Sequence, residues 1–142
     1  MQRIVVATDG SAGGNRAVDA AVKLARAADC KLLILTVGGS ISGAELRQLA
    51  GTEGDLSKTL EEGATQVLGR AEARAQRKGV TPVKLLTGWG DPAQAIMDTV
   101  RQEKVDLLVI GRRGRGRLSG LLLGSVSQKL ASLAPCQVMV VP

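Results

Sequence analysis

The chain has 142 residues, of which 44% are hydrophobic and 23% charged, with a net charge of +6. This balance is typical of one globular domain, residues 1–142, that buries a sizeable core. No apolar run approaches the roughly 18 residues that span a bilayer, so no membrane association is predicted. Histidine is absent, which excludes Ser-His-Asp and Cys-His catalysis and most zinc sites. One tryptophan, with no Phe or Tyr, cannot build the aromatic platforms of base-stacking nucleic-acid readers.

The first ten residues do not have the build of a signal peptide, because their apolar run is short and leads straight into a turn. With two cysteines, Cys30 and Cys136, a disulfide framework is not expected, and both are interpreted as buried small apolar residues. The expectation is a cytoplasmic protein.

The hydrophobic pattern predicts strands and helices in alternation along the whole chain. Continuous apolar runs predict five buried strands, at residues 3–8, 31–37, 80–87, 105–110 and 136–141. Apolar residues at helical spacing predict four helices, at about 13–28, from 56 towards a C′ glycine at Gly79, from an Asp91 N-cap through Val100, and at 125–133. Residues 38–54 are rich in Gly and Ser and are predicted to form a loop or flap.

Strands that are apolar on both faces predict a parallel sheet with helices on both sides, in a single doubly wound α/β domain. Right-handed crossovers then give the strand order 3-2-1-4-5, with the winding reversed between strands 1 and 4. Ligands bind such sheets at this reversal, beyond the carboxyl ends of the strands. The turn Asp9-Gly10-Ser11 follows strand 1 and Gly111 follows strand 4, so both are predicted to meet at a ligand site.

The segment after strand 4 has the composition of a phosphate-binding loop. Gly111 and Gly114 are separated by two residues, and Gly124 follows nine residues later with Ser125 at a helix start. Glycines let backbone N–H groups approach an anion closely, and a helix N-terminus adds free amides and a positive dipole end. A Walker A loop is excluded because no Gly-Lys pair occurs, and no turn carries the three-glycine dinucleotide fingerprint.

These features together resemble the universal stress protein family. The resemblance covers essentially the whole chain and rests on VVATDGS, Gly88-x-x-Asp91-Pro92, DLLVIGRRG, the spacing Gly111-x2-Gly114-x9-Gly124-Ser125 and the terminal CQVMVV. The glycine spacing is that of the ATP-binding branch. The resemblance implies a Rossmann-like domain that binds ATP and usually forms a homodimer.

Carried over position by position, the resemblance also implies a set of contacts. Asp9 would lie by the adenosine, and Val37 would contact adenine through its backbone. Ribose and phosphates would be surrounded by Gly111, Arg112, Gly114, Gly124, Ser125 and Val126. Mg²⁺ would arrive with ATP and be held mainly by phosphate oxygens, with no metal site of the protein's own. The last strand, Cys136–Val141, would pair across the dimer, which would protect an apolar edge from aggregation.

Three departures from the family pattern stand out. Many members carry His after strand 2, where this chain has Val37-Gly38-Gly39, and the usual Cys-Pro before the last strand is reversed as Pro135-Cys136. The loop also holds four arginines, at positions 112, 113, 115 and 117. The first two barely affect the assignment, whereas the arginines leave open extra phosphate contacts or a second partner.

Each candidate residue also has a structural alternative. Gly111 and Gly114 serve equally in an ordinary turn, Ser125 as a helix N-cap, and Asp9 as a turn or cap residue. Asp91 is interpreted as a cap only. Trp89 is interpreted as a packing or interface residue in preference to an adenine-stacking one.

The sequence thus favours an ATP-binding regulatory protein of the stress-response type, whose nucleotide changes the surfaces offered to a dimer mate or an unknown protein partner. No catalytic constellation is visible, because Asp9 is the only obvious acid near the predicted site, so at most slow ATP hydrolysis or autophosphorylation is expected. Two alternatives stay open: a protein-interaction module whose loop binds another anion or none, and a weak nucleic-acid binder that uses the arginine-rich loop.

Overall fold

The computed structural model describes residues 1–38, 56–112 and 124–142, with residues 56 and 57 described by their backbone alone. Within these ranges five strands and four helices alternate as the sequence predicts. The strands are β1 (Arg3–Ala7), β2 (Lys31–Val37), β3 (Lys84–Gly88), β4 (Leu107–Gly111) and β5 (Gln137–Val141). The helices are α1 (Ala12–Ala28), α2 (Leu56–Arg77), α3 (Pro92–Gln102) and α4 (Ser125–Leu133). Apart from residue 38, the predicted loop or flap at 38–54 lies outside the described residues.

The five strands form one parallel sheet in the order β3-β2-β1-β4-β5. The predicted order 3-2-1-4-5 is therefore confirmed, with the reversal of winding between β1 and β4. The order follows from apolar strands that need helices on both faces, which one reversal of winding provides.

The core consists of two aliphatic layers, one on each face of the sheet. Ile4 and Val6 of β1 pack with α1 and α2 on one face, whereas Val5 packs with α3 and α4 on the other. Because successive side chains of a strand point to opposite faces, the buried run of β1 serves both layers at once. Burial of each such Ile or Val side chain stabilises the fold by about 1.5–3 kcal/mol.

The predicted third strand starts too early in the chain. The sequence places it at 80–87, whereas β3 begins at Lys84, which pairs with Leu33. The N–H of Val80 instead donates to the carbonyl of Ala75 at 3.0 Å, which closes the C-terminus of α2 around Gly79 with φ of 80°. Val80 therefore belongs to the helix cap, and the prediction of Gly79 as the C′ glycine is confirmed.

The interpretation of Asp91 as an N-cap is confirmed. Its carboxylate accepts a hydrogen bond from the backbone N–H of Gln94 at 3.0 Å, and Pro92 is the first residue of α3. The side chain of Gln94 donates to Asp98 at 2.8 Å. The cap therefore relies on Asp91, and the Gln94 side chain stabilises the following turn.

The two cysteines are free thiols, as the sequence predicts, but each is only partly buried. Cys30 packs against the α1–α2 layer and Cys136 against the α3–α4 layer. Burial raises the pKa of the Cys136 thiol. Among the described residues, no helix has the length and apolar character needed to cross a bilayer.

Asp106 closes the amino end of the sheet, opposite the predicted ligand edge. Its Oδ2 accepts hydrogen bonds from the backbone N–H groups of Gln2 at 2.7 Å and Arg3 at 2.9 Å. These two bonds, first that from Gln2 and then that from Arg3, lower the pKa of the Asp106 carboxyl. The start of the chain is thereby held to the start of β4.

Candidate functional site

The strand register brings several predicted site residues to one edge of the sheet. Val6 of β1 pairs with Ile34 of β2 on one side and with Val109 of β4 on the other. Each strand continues towards the carboxyl edge of the sheet. Counting three positions on from Ile34, Val6 and Val109 reaches three predicted site residues, Val37, Asp9 and Arg112. The two central strands of this edge, β1 and β4, are those between which the winding reverses.

The turn between β1 and α1 is built from short side chains that bond to its own backbone. Oδ1 of Asp9 accepts from the N–H of Ser11 at 2.9 Å, and the Thr8 hydroxyl accepts from the N–H of Gly10 at 3.2 Å. Gly10 has φ of 81°, the left-handed region that favours glycine. The turn-forming alternative for Asp9 is therefore present in the structure, and its contact with a ligand stays a prediction.

Gly14 is a residue of this turn that the sequence reasoning missed. It lies in the first turn of α1, where its N–H donates to the hydroxyl of Ser11, the N-cap, at 3.1 Å. A Cβ at Gly14 would lie 2.5 Å from Oγ1 of Thr8 and 2.9 Å from Oδ1 of Asp9. The available signal was a glycine inside a helical pattern, which costs about 1 kcal/mol relative to Ala unless a close approach needs it.

The segment after β4 is closed by hydrogen bonds at its two ends. The N–H of Arg112 donates to the carbonyl of Val141 in β5 at 2.7 Å, and the carbonyl of Arg112 accepts from the N–H of Gly124 at 3.0 Å. These bonds place the end of β4 beside the start of α4. Because the N–H of Arg112 is used by β5, its donors for an anion are those of its guanidinium group.

Ser127 is the second residue that the sequence reasoning missed. Its hydroxyl lies 2.7 Å from the carbonyl oxygen of Gly111 and 2.9 Å from that of Arg112, and the residue is 5% exposed. It shares the buried face of α4 with Leu130, three residues further on. A serine at an apolar position of a predicted helix was the signal, since buried hydroxyls need a partner.

The N-terminus of α4 differs from those of α1 and α3. Ser11 and Asp91 cap α1 and α3 with their side chains, whereas the N-cap of α4 is Gly124, with no side-chain cap hydrogen bond. The alternative of Ser125 as the N-cap is therefore wrong, because Ser125 is the first helical residue. The N–H groups of Ser125 and Val126, in the first turn of α4, have no intrahelical acceptor and are suited to an anion.

Val37 is only 4% exposed as a whole residue and its side chain packs in the α3–α4 layer, so its main-chain contact with adenine stays a prediction. Gly114, and the arginines at 113, 115 and 117, lie outside the described residues. In the part of the chain that the structure describes, no three His, Cys, Asp or Glu side chains come together as a metal site.

A parallel sheet with a reversal of winding defines a doubly wound α/β protein, in which ligands bind at the edge where the glycine-bearing turns after β1 and β4 lie. The model of the universal stress protein family matches residues 1–142. The chain is 31% identical to the universal stress protein YxiE of Bacillus subtilis, over 98% of this chain and 97% of the relative. It is 34% identical to a universal stress protein of Mycobacterium tuberculosis, over 97% of this chain and 94% of the relative. The chain therefore belongs to the universal stress protein family.

Solved structures agree with this assignment. One is described as a universal stress protein in complex with cAMP and is 31% identical to this chain. It superimposes with a TM-score of 0.74, and the match covers 99% of this chain and 97% of that chain. A second, the universal stress protein UspA from Lactobacillus plantarum, is 25% identical with a TM-score of 0.78, over 99% and 97% of the two chains. The Rossmann-like fold expected from the sequence is thus confirmed.

Proposed function

We propose that this chain is an ATP-binding universal stress protein with a regulatory role in the stress response. The observation that carries the proposal is that two features lie at the same edge of the sheet, where the winding reverses between β1 and β4. One is the Asp9-Gly10-Ser11 turn after β1, and the other is the N-terminus of α4, which lies beside the end of β4 and has no side-chain cap. A family member at 31% identity is described in complex with cAMP, which supports an adenine nucleotide as the ligand class.

In the proposed complex, two groups of the β4–α4 connection take the phosphates. The amides of Ser125 and Val126 donate to phosphate oxygens at the positive end of the α4 dipole, a geometry worth about 0.3–1 kcal/mol per nearby charge. Gly111 and Gly124 lie next to Arg112 and Ser125 in this connection, and Gly114, which the family resemblance adds to the set, lies outside the described residues. The guanidinium of Arg112 adds a fixed charge.

The adenosine moiety is assigned to the other side of the reversal. Asp9 lies by the ribose and adenine, with Gly10 and Ser11 completing the turn, and the main chain of Val37 contacts the base. Because the Asp9 carboxylate already accepts the Ser11 N–H at 2.9 Å, its position is fixed before a ligand arrives. A preformed contact of this kind avoids the entropy of ordering the side chain on binding.

Mg²⁺ is proposed to enter with ATP and to stay mainly on the phosphate oxygens. Mg²⁺ is commonly bound through substrate phosphates and one or two carboxylates, and Asp9 is a carboxylate at this edge. Among the residues that the structure describes, this edge shows no dedicated general base, and we expect hydrolysis or autophosphorylation to be slow and the nucleotide to act as a regulatory ligand.

The proposed assembly is a cytoplasmic homodimer formed through β5, the strand that the family resemblance predicts to pair across the dimer. β5 is an edge strand of the sheet, and four of its five residues are only partly buried. A second copy of β5 would cover this apolar edge. Light scattering coupled to gel filtration should give twice the monomer mass; a monomer at all concentrations would exclude the dimer.

Isothermal titration with ATP, ADP, AMP and cAMP tests the nucleotide proposal. We expect saturable binding that is tightest for ATP, and the absence of binding at millimolar nucleotide would exclude the function. Tighter binding of cAMP than of ATP would identify a cyclic nucleotide, and not ATP, as the ligand of the site.

Gly124→Val should abolish nucleotide binding while the fold survives, because Gly124 has φ of −66°, which a β-branched residue adopts readily. Gly69→Val, at an open position of α2, is the matched control.

A further inference from the structure

Trp89, the single tryptophan of the chain, packs on a glycine at the carboxyl edge of the sheet. Val37 at the end of β2 pairs with Gly88 at the end of β3, so the next residues, Gly38 and Trp89, are neighbours. A Cβ at Gly38 would overlap Cζ3 and Cε3 of the indole and lie 3.0 Å from Cη2. Gly38 has no positive φ, so the indole and not the backbone conformation requires a glycine there.

The backbone on both sides of Trp89 is also fixed. A Cβ at Gly88 would lie 3.1 Å from Cβ of Ala95, and Gly90 has φ of 90° as the chain turns into α3. These neighbours constrain the backbone of Trp89, and the contact with Gly38 positions its indole. It nevertheless stays 49% exposed, which leaves a large aromatic surface open at the rim of the candidate site.

The position of this surface matches the base end of the candidate site. The indole packs on Gly38, the residue that directly follows Val37, and the base contact is assigned to the main chain of Val37. An indole offers a flat, apolar, uncharged surface, which suits an aromatic ring and not a phosphate. A nucleobase bound at Val37 thus comes within reach of the exposed part of Trp89.

We infer that Trp89 is a specificity-determining residue of the nucleotide site, whose indole, seated on Gly38, stacks on the nucleobase and favours purines over the smaller pyrimidines. The inference rests on the proposed function, because it names the group that recognises the base at that same site. It goes beyond the sequence interpretation of Trp89 as a packing or interface residue, since the structure shows the packing on Gly38 and the inference adds a contact with the base.

Trp89→Ala tests the inference by affinity. We expect the variant to bind ATP about 5- to 150-fold more weakly, the range that loss of one base–aromatic stack gives. The preference for ATP over CTP should fall in the same variant, because a purine loses more stacked area. Trp89→Phe should restore part of the affinity. Leu85→Ala, which truncates an exposed side chain of β3, the strand just before Trp89, should bind as the wild type does.

Fluorescence of the wild-type chain gives an independent readout, since all tryptophan emission comes from Trp89. ATP should quench this emission and protect the indole from acrylamide. Gly38→Ala keeps the indole but displaces it, so we expect altered emission and weaker ATP binding. Gly69→Ala, where a Cβ meets nothing within 4 Å, is the control for a glycine replacement.

Unchanged ATP affinity in a folded Trp89→Ala variant, with no change of wild-type emission on ATP binding, would overturn the inference and leave the proposed function intact. If that variant also lost the wild-type oligomeric state, Trp89 would be assigned to a subunit contact instead. Absence of nucleotide binding by the wild type would overturn both proposals, so the two failures are distinguishable.

Discussion

The hydroxyl of Ser127 lies between the carbonyl oxygens of Gly111 and Arg112, at 2.7 and 2.9 Å. A hydroxyl has one proton to donate, which the two carbonyls share or exchange. This buried group of α4 therefore fixes the helix N-terminus against the end of β4. The candidate phosphate donors of α4 and the backbone of Arg112 are thereby held together by a residue that need not touch the ligand.

Ser127→Ala should destabilise the protein by about 1–2 kcal/mol, because two partly buried carbonyl groups lose a donor. It should also weaken nucleotide binding, since α4 is no longer tied to β4. Urea unfolding measures the first effect and isothermal titration the second.

Ser132→Ala in the same helix is the matched control, because Ser132 is exposed. A change at Ser127 that is no larger than the change at Ser132 would contradict the role of the buried hydroxyl.

Gly14→Ala should destabilise the protein although alanine favours helices. The new Cβ would lie 2.5 Å from Oγ1 of Thr8 and 2.9 Å from Oδ1 of Asp9, so the turn after β1 must shift. Overpacking of this kind costs about 1–3 kcal/mol, which exceeds the gain of roughly 1 kcal/mol in helix propensity. Thermal unfolding should show the loss, and the shift of Asp9 should lower nucleotide affinity.

Gly69→Ala gives the opposite expectation and serves as the control. Gly69 is exposed in α2, and a Cβ there meets nothing within 4 Å. Only the higher helix propensity of alanine should therefore affect the stability. This variant should be stabilised by up to about 1 kcal/mol. A stabilised Gly14→Ala variant would show that the turn tolerates the extra methyl group.

The sequence predicted the parts of the fold that depend on local pattern and on topology. Apolar runs located the five strands, and handedness with coverage of both faces gave their order. The cap at Asp91 and the C′ glycine at Gly79 were also readable, because helix termini have residue preferences of their own.

What the sequence did not predict depends on contacts between residues far apart in the chain. Ser127 became a candidate only when α4 lay against the end of β4, and Gly14 only when α1 lay against Thr8. The start of β3 was missed because Val80 suits a strand, yet its N–H closes the C-terminus of α2. The packing of Trp89 on Gly38 depends on the pairing of β2 with β3, and no local sequence pattern predicts that contact.

Gly124→Asp should change stability and affinity in opposite directions. With φ of −66° and ψ of 161°, the N-cap position of α4 accepts any residue, and an aspartate there caps the first turn. Because glycine is itself a fair N-cap, replacing it by aspartate stabilises a protein by only about a few tenths of a kcal/mol. Its carboxylate would occupy and repel the proposed phosphate position, so ATP affinity should fall. Urea unfolding should show the gain in stability, and titration with ATP on the same preparation should show the loss of affinity.

Gly124→Asn separates the cap from its charge. Asparagine caps about as well as aspartate, so the two variants should gain similar stability, while the asparagine variant should keep more ATP affinity. Equal ATP affinity in both variants and in the wild type would show that the N-terminus of α4 does not hold the phosphates.

Asp106 should make stability depend on pH in the acid range. Hydrogen bonds from the N–H groups of Gln2 and then Arg3 lower the pKa of its carboxyl in the folded state. A lowered folded-state pKa means that the charged form favours folding, so this stabilisation is fully present above the ordinary aspartate pKa of about 3.9. It is lost as the pH falls through the folded-state value.

Asp106→Asn removes the titrating group and keeps an acceptor oxygen. We expect the variant to be less stable than the wild type at neutral pH, because a carboxylate accepts both N–H groups more strongly than an amide does. The difference should shrink as the pH falls from about 6 to about 2, since the wild-type carboxyl then becomes neutral. Urea unfolding of both proteins across this range measures the difference directly. If the free energies of unfolding of the two proteins differ by the same amount at every pH, Asp106 has the same pKa in the folded and unfolded chains. That result would contradict a lowering of its pKa by the hydrogen bonds from Gln2 and Arg3.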